Sequence, residues 1–169
     1  MAVFYQAAPQ EIIDLAERIK REHHVGLIEA GVTICWLVAR NSDPAGHAIT
    51  FKGWPAKALC RLNPLRDRVA GLTDCTILID AQWWGLAPER ERAAVIDHEL
   101  THINVCRYRV GNVRYDDANR PKLELRKHDF ELCGFHAMVE RHGVNSAEAK
   151  GFMGVQEVWV QRHFQFAGT

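Results

Sequence analysis

Apolar residues recur at helical spacing in three stretches of the chain. Across residues 9–24, Ile12, Ile13, Leu15, Ala16 and Ile19 form one face while charges cover the other, which predicts an amphipathic helix ending at His23-His24. Across residues 88–107, Ala93, Ile96, Leu100 and Ile103 form a second apolar stripe. Pro88 suits a first helical position there, and Glu89 and Glu91 place negative charge near the positive N-terminal end. Across residues 129–141, Phe130, Cys133 and Val139 supply the apolar positions of a third helix, with Gly143 as its stop.

Between these stretches the pattern changes to that of strands. Residues 32–39 are rich in β-branched and aromatic side chains and predict a buried strand, followed by a turn at Asn41-Ser42-Asp43-Pro44. Residues 47–52 read as a second strand, broken at Gly53-Trp54-Pro55, and residues 55–65 carry no clear pattern. Residues 76–80, Thr-Ile-Leu-Ile-Asp, form the clearest short strand, with residues 81–87 connecting it to the second helix. Residues 113–115 and 123–125 are expected to pair as a hairpin around the polar turn 116–121. Residues 146–153 suit a short helix, while 155–166 fit strand and helix equally. No repeat, low-complexity tract or linker interrupts the chain. At 169 residues it is expected to form a single domain over 1–169, with a core at about 9–143 and a tail, 144–169, of open role.

The second helix carries the most informative residues. His98 and His102 lie four apart, on one helical face, where two imidazoles can hold one metal ion. Glu99, beside the first of them, can reach a water on that ion and serve as general base. With nine histidines in the chain a chance match is real, so context decides. The apolar stripe runs roughly opposite the two histidines, so the helix can bury one side and offer the other to a cleft. A structural pair of histidines would more often sit on the apolar face.

A catalytic zinc takes three protein ligands and keeps a fourth position open. His128, where the chain enters the third helix, is the best third candidate, because a hairpin can return it to the cleft. Glu131 is the runner-up, with Asp129, His136 and His142 behind it; the bland alternative for His128 is a helix-capping imidazole. Asp97 or Asp129 could accept from a ligand imidazole and orient it, or simply face solvent. Adjacent His23 and His24 point about 100° apart on a helix and are read as its C-terminal cations rather than a metal pair.

Composition narrows the classes. Hydrophobic residues make up 47% and charged residues 25%, an ordinary globular balance. Basic and acidic residues both number 21, so no net charge draws the chain toward nucleic acid or an acidic membrane, and neither is an expected partner. Five scattered cysteines without a Cys-x-x-Cys pair argue against a zinc ribbon and for reduced thiols. The first ten residues have no signal-peptide character, and no stretch reaches the roughly 20 apolar residues of a membrane span. A cytoplasmic location is expected.

Taken in order, a strand, a connector, Pro-Glu-Arg-Glu-Arg, then Val-Ile-Asp-His-Glu-Leu-Thr-His-Ile, a hairpin and Leu-Arg-Lys-His-Asp-Phe-Glu resemble the phage-type metallopeptidases, compact relatives of the SprT-like zincins. The resemblance is strongest over residues 72–143 and compatible over 9–40. It implies a compact α+β zincin-like domain, with a small mixed sheet packed on the His-Glu-x-x-His helix and a ligand-bearing helix after it. In SprT-like proteins the third ligand is a histidine followed shortly by an aromatic residue at a helix start. His128-Asp129-Phe130 is similar, which implies the zinc ligand set His98, His102 and His128. Two features depart from relatives: no cysteine-rich ribbon follows the core, and Asn104-Val105-Cys106 stands where metzincins extend the motif to a third histidine.

The expected function is therefore hydrolysis of peptide bonds in a peptide or protein substrate, through a zinc-bound water activated by Glu99. Tyr108, Tyr115, Arg114, His136 and His142 are candidates to stabilise the oxyanion. An extended substrate would pair with a strand edge beside the helix, for which residues 76–80 are the candidate, with Trp83-Trp84 either walling a pocket or bridging the core. The alternative is a zinc-containing phage-type protein that acts by occupying a host protein, without peptidase activity. Intact Glu99 argues against it, since a structural site needs no base. Action at protein–DNA crosslinks, by analogy with SprT-like proteins, is disfavoured by the neutral charge and the missing ribbon.

Overall fold

A four-stranded mixed sheet backed by helices organises the computed structural model, which describes residues 2–128 and 135–150. The elements run β1 (Val3–Ala7), α1 (Gln10–His23), α2 (Val25–Glu29), β2 (Ile34–Asn41), β3 (Thr50–Phe51), β4 (Trp54–Pro55), β5 (Ala58–Leu62), α3 (Leu65–Val69), β6 (Cys75–Asp80), α4 (Ala81–Leu86), α5 (Glu89–Thr101), β7 (Ile103–Val105), β8 (Leu123–Leu125) and α6 (His136–His142). The chain is of the α+β class. It divides into two compact units, residues 1–127 and 128–169.

In the first unit the sheet order is β1-β2-β6-β5, with β2 and β6 parallel and the two outer strands antiparallel to their neighbours. Register lines up Trp36, Ile77 and Cys60 in one row and Val38, Ile79 and Ala58 in the next, all buried. Strand residues two apart share a face, so these rows make one apolar surface. Ile12, Ala16 and Ile19 of α1 and Val95, Ile96 and Leu100 of α5 join the same core. The sequence expectation for α1 agrees to within one residue at each end. Residues 76–80 are not an edge: β6 lies between β2 and β5, and among the described residues the edge strands are β1 and β5.

Three further expectations change. Residues 58–62, which carry no clear alternation, form β5 because β6 offers a paired edge, and tertiary pairing outweighs weak local pattern. Residues 81–86 are a helix, capped by Asp80, whose Oδ1 accepts the Gln82 and Trp83 N–H groups at 2.9 and 3.0 Å. Trp84 is buried in the core and Trp83 packs against it, so the tryptophan pair bridges core elements. Leu123–Leu125 pairs with Ile103–Val105 rather than with residues 113–115, although Tyr115 and Pro121 still bridge across the turn.

That turn is held by a buried ion network. Asp74 Oδ2 accepts from the Thr33 N–H and hydroxyl, both at 2.8 Å, and its Oδ1 accepts from Arg68 at 2.6 and 3.0 Å. Arg120 Nε lies 3.0 Å from the same Oδ1, and Arg68 also reaches the Pro121 carbonyl at 2.9 Å and Asp116 at 2.6 Å. Burial pushes the Asp74 carboxyl up, but the Thr33 bonds and the two guanidiniums outweigh it and hold it below the usual carboxylate range. Replacing Asp74 by Asn is expected to lower stability by about 3–5 kcal/mol at neutral pH, because two arginines lose a buried counter-charge. A lowered folded pKa means this contribution is complete above about pH 4 and is lost as pH falls through the folded value. Urea unfolding of both proteins at neutral and acid pH checks this: the gap between their midpoints should narrow in acid.

In the second unit, α6 is followed by a short 3₁₀ turn, Gly143–Asn145, and residues 147–150 are helical. Gly143 sits at φ +51°, a conformation that side chains disfavour, which explains why the helix stops there as its sequence position predicts. The Ser146 hydroxyl caps the next turn, accepting from the Ala149 N–H at 3.0 Å. The earlier part of the expected third helix, and residues 155–166, lie outside the described residues.

Candidate metal centre

The helix α5 starts after Pro88 and ends sooner than its apolar stripe suggests, with His102 as its C-terminal cap. The stripe continues through Ile103, but Ile103 belongs to β7 and faces Leu125 across the β7–β8 ladder. The switch has a local cause. The His102 carbonyl accepts the Arg126 N–H at 2.8 Å, so the chain leaves the helix to join a strand pair.

The same pairing orients a side chain. His102 Nδ1 lies 2.8 Å from the Arg126 carbonyl oxygen, which can only accept, so Nδ1 carries the proton and donates it. The Nε2 lone pair is then the one left to face a metal ion. His98, one turn back, lies with its ring centroid 5.0 Å from that of His102. Two residues beyond Arg126 comes His128. His98, His102 and His128, each half-buried, form a group whose candidate ligand atoms all lie within 4.8 Å of one another. A zinc ion bonds imidazole nitrogen at about 2.0–2.1 Å, so three nitrogens this close fit one ion after small side-chain rotations. Neutral imidazoles also suit zinc chemically.

Carboxylates surround the motif differently from the sequence expectation. Asp97 is fully buried, and its Oδ1 lies 2.6 Å from Nε2 of His24, at the junction of α1 and α2. His24 thus has a partner that only the tertiary structure brings to it; no spacing rule links residues so distant in sequence. Glu99 is 6% exposed. Burial first, then the Glu99 carboxylate and the Cys75 thiol, push the Cys60 thiol upward, and α5 packs against β5. Burial likewise raises Cys75 to about 12. Cys35, Cys60, Cys75 and Cys106 are free thiols, and Cys133 lies outside the described residues.

Of the remaining candidates, Asp129 and Glu131 lie outside the described residues. Tyr108 is 58% exposed, with the Arg114 guanidinium 5.6 Å from its ring centre, and Tyr115 is 55% exposed. His136 begins α6 and His142 ends it. No helix among the described residues is long and apolar enough to cross a membrane.

No curated protein and no solved structure matches the chain. A family model described as "Putative phage metallopeptidase" matches residues 3–159, nearly the whole chain, so it belongs to that family.

Proposed function

We propose that this protein is a zinc-dependent peptidase, with His98, His102 and His128 as metal ligands and Glu99 as general base. The observation that carries this is the group of three half-buried imidazoles with ligand atoms within 4.8 Å of one another. Three protein nitrogens leave a fourth position for water or substrate, the arrangement of catalytic rather than structural zinc. When bound, zinc supplies Lewis acidity that eases deprotonation of water near neutral pH and polarises a carbonyl.

The chain's own residues do the rest. The Arg126 carbonyl holds His102 in the tautomer that presents Nε2. Glu99 takes a proton at its carboxylate from the attacking water and returns it to the leaving nitrogen. Its burial keeps competing solvent from that carboxylate. The strand edge that serves an extended substrate is β5, not β6, because β5 ends the sheet among the described residues and packs against α5, the helix that carries Glu99. A peptide lying there gains backbone hydrogen bonds along its length. In this arrangement the domain is zincin-like, and its substrates are peptides or proteins.

The test is to incubate zinc-loaded protein with a mixed peptide library and identify products by mass spectrometry. New termini are expected with zinc and none after chelation. Identical product profiles in both samples would refute the proposal.

A further inference from the structure

The β3–β4 hairpin has no part in the metal centre, yet it is built with care. Lys52 and Gly53 sit at φ +50° and +84°, so both central residues of its two-residue turn adopt the left-handed conformation that matches strand twist. Its base is anchored: the Ala56 N–H donates to the Ile49 carbonyl at 3.0 Å, and the Ala48 N–H donates to Asp80 Oδ2 at 2.9 Å. Ile49 is buried, and the Asp80 N–H donates to the Lys57 carbonyl at 2.9 Å. The hairpin therefore stands at the end of the sheet where β5 begins.

What it carries is unusual for so small an element. Phe51 and Trp54, paired across the two strands, are 48% and 77% exposed, and Lys52 Nζ lies 5.4 Å from the Phe51 ring centre. Aromatics on a tight turn that keep about half (Phe51) and three quarters (Trp54) of their surface in water add less to folding stability than buried ones. They are what an interface uses to anchor a partner's side chain. Only residues 55–57 separate Trp54 from the first residue of β5.

We propose that the hairpin is a specificity arm for the peptide on β5, and that Trp54 and Phe51 grip a large apolar or aromatic side chain. This rests on the peptidase proposal for its occupant. Antiparallel pairing with β5, the more stable ladder, runs the peptide's C-terminal half past Ala58 and onto the hairpin. The preference should therefore concern residues in the C-terminal half of the bound segment.

The experiment reads binding rather than turnover. Fluorescein-labelled Ala/Ser decapeptides with one Phe near the C-terminus, one Phe near the N-terminus, or none are titrated by anisotropy against zinc-loaded Glu99→Gln protein. Tighter binding of the C-terminal Phe peptide is expected. Adding Trp54→Ala should weaken it by about tenfold, leave the Phe-free peptide unchanged, and be rescued by Trp54→Phe. A preference that survives Trp54→Ala, a preference for the N-terminal Phe, or no measurable peptide binding overturns the proposal. Failure of the peptidase proposal would show separately, as wild-type protein that binds these peptides without cleaving any.

Discussion

Replacing Glu99 by Gln should leave zinc content unchanged while cutting peptide turnover by about 10²–10⁴-fold. The amide keeps the size of this buried side chain, so the packing around it survives. It cannot accept a proton, so the attacking water loses its base. At about 1.4 kcal/mol per decade this corresponds to roughly 3–5.5 kcal/mol of transition-state stabilisation. Elemental analysis of the variant and a cleavage assay at matched zinc loading make the check. Full turnover in a zinc-loaded variant would remove Glu99 from the mechanism. Loss of zinc together with activity would give Glu99 a part in the metal site instead.

Zinc should also stabilise the folded protein, and His102 should be required for it. A ligand that binds only the folded state at about 100 times its Kd adds roughly 2.7 kcal/mol. Replacing His102 by Ala removes one of three proposed ligands together with its bond to the Arg126 carbonyl. Loss of an orienting partner alone typically costs about 10–100-fold in metal affinity, and loss of the ligand itself should exceed that. Thermal unfolding of chelator-treated protein with and without added zinc reads the effect. The wild type should shift upward and the variant should not. Equal shifts would mean that zinc binds elsewhere.

How much of this was legible in the sequence depends on the range of the interaction. Pro9 and the charge pattern after it mark α1, and Pro88 with Glu89 and Glu91 marks the start of α5, because these signals act within one or two helical turns. Gly143 marks the end of α6 for the same reason. The end of α5 was hidden. Ile103 keeps helical spacing with Leu100 and Ile96, and only pairing with Leu125 assigns it to a strand. β5 was hidden too, because its partner β6 lies beyond α3 in the chain.

The candidate site divides along the same line. His98, Glu99 and His102 stand together because helical geometry brings residues four apart onto one face, and the sequence by itself determines that. The nearness of His128, the orientation of His102 by Arg126, the burial of Asp97 against His24 and the packing of α5 against β5 were decided by the tertiary structure. Each joins residues too far apart in the chain for any periodicity to relate them. Their contacts follow from strands choosing partners and from the burial those pairings bring, which is a property of the folded chain as a whole.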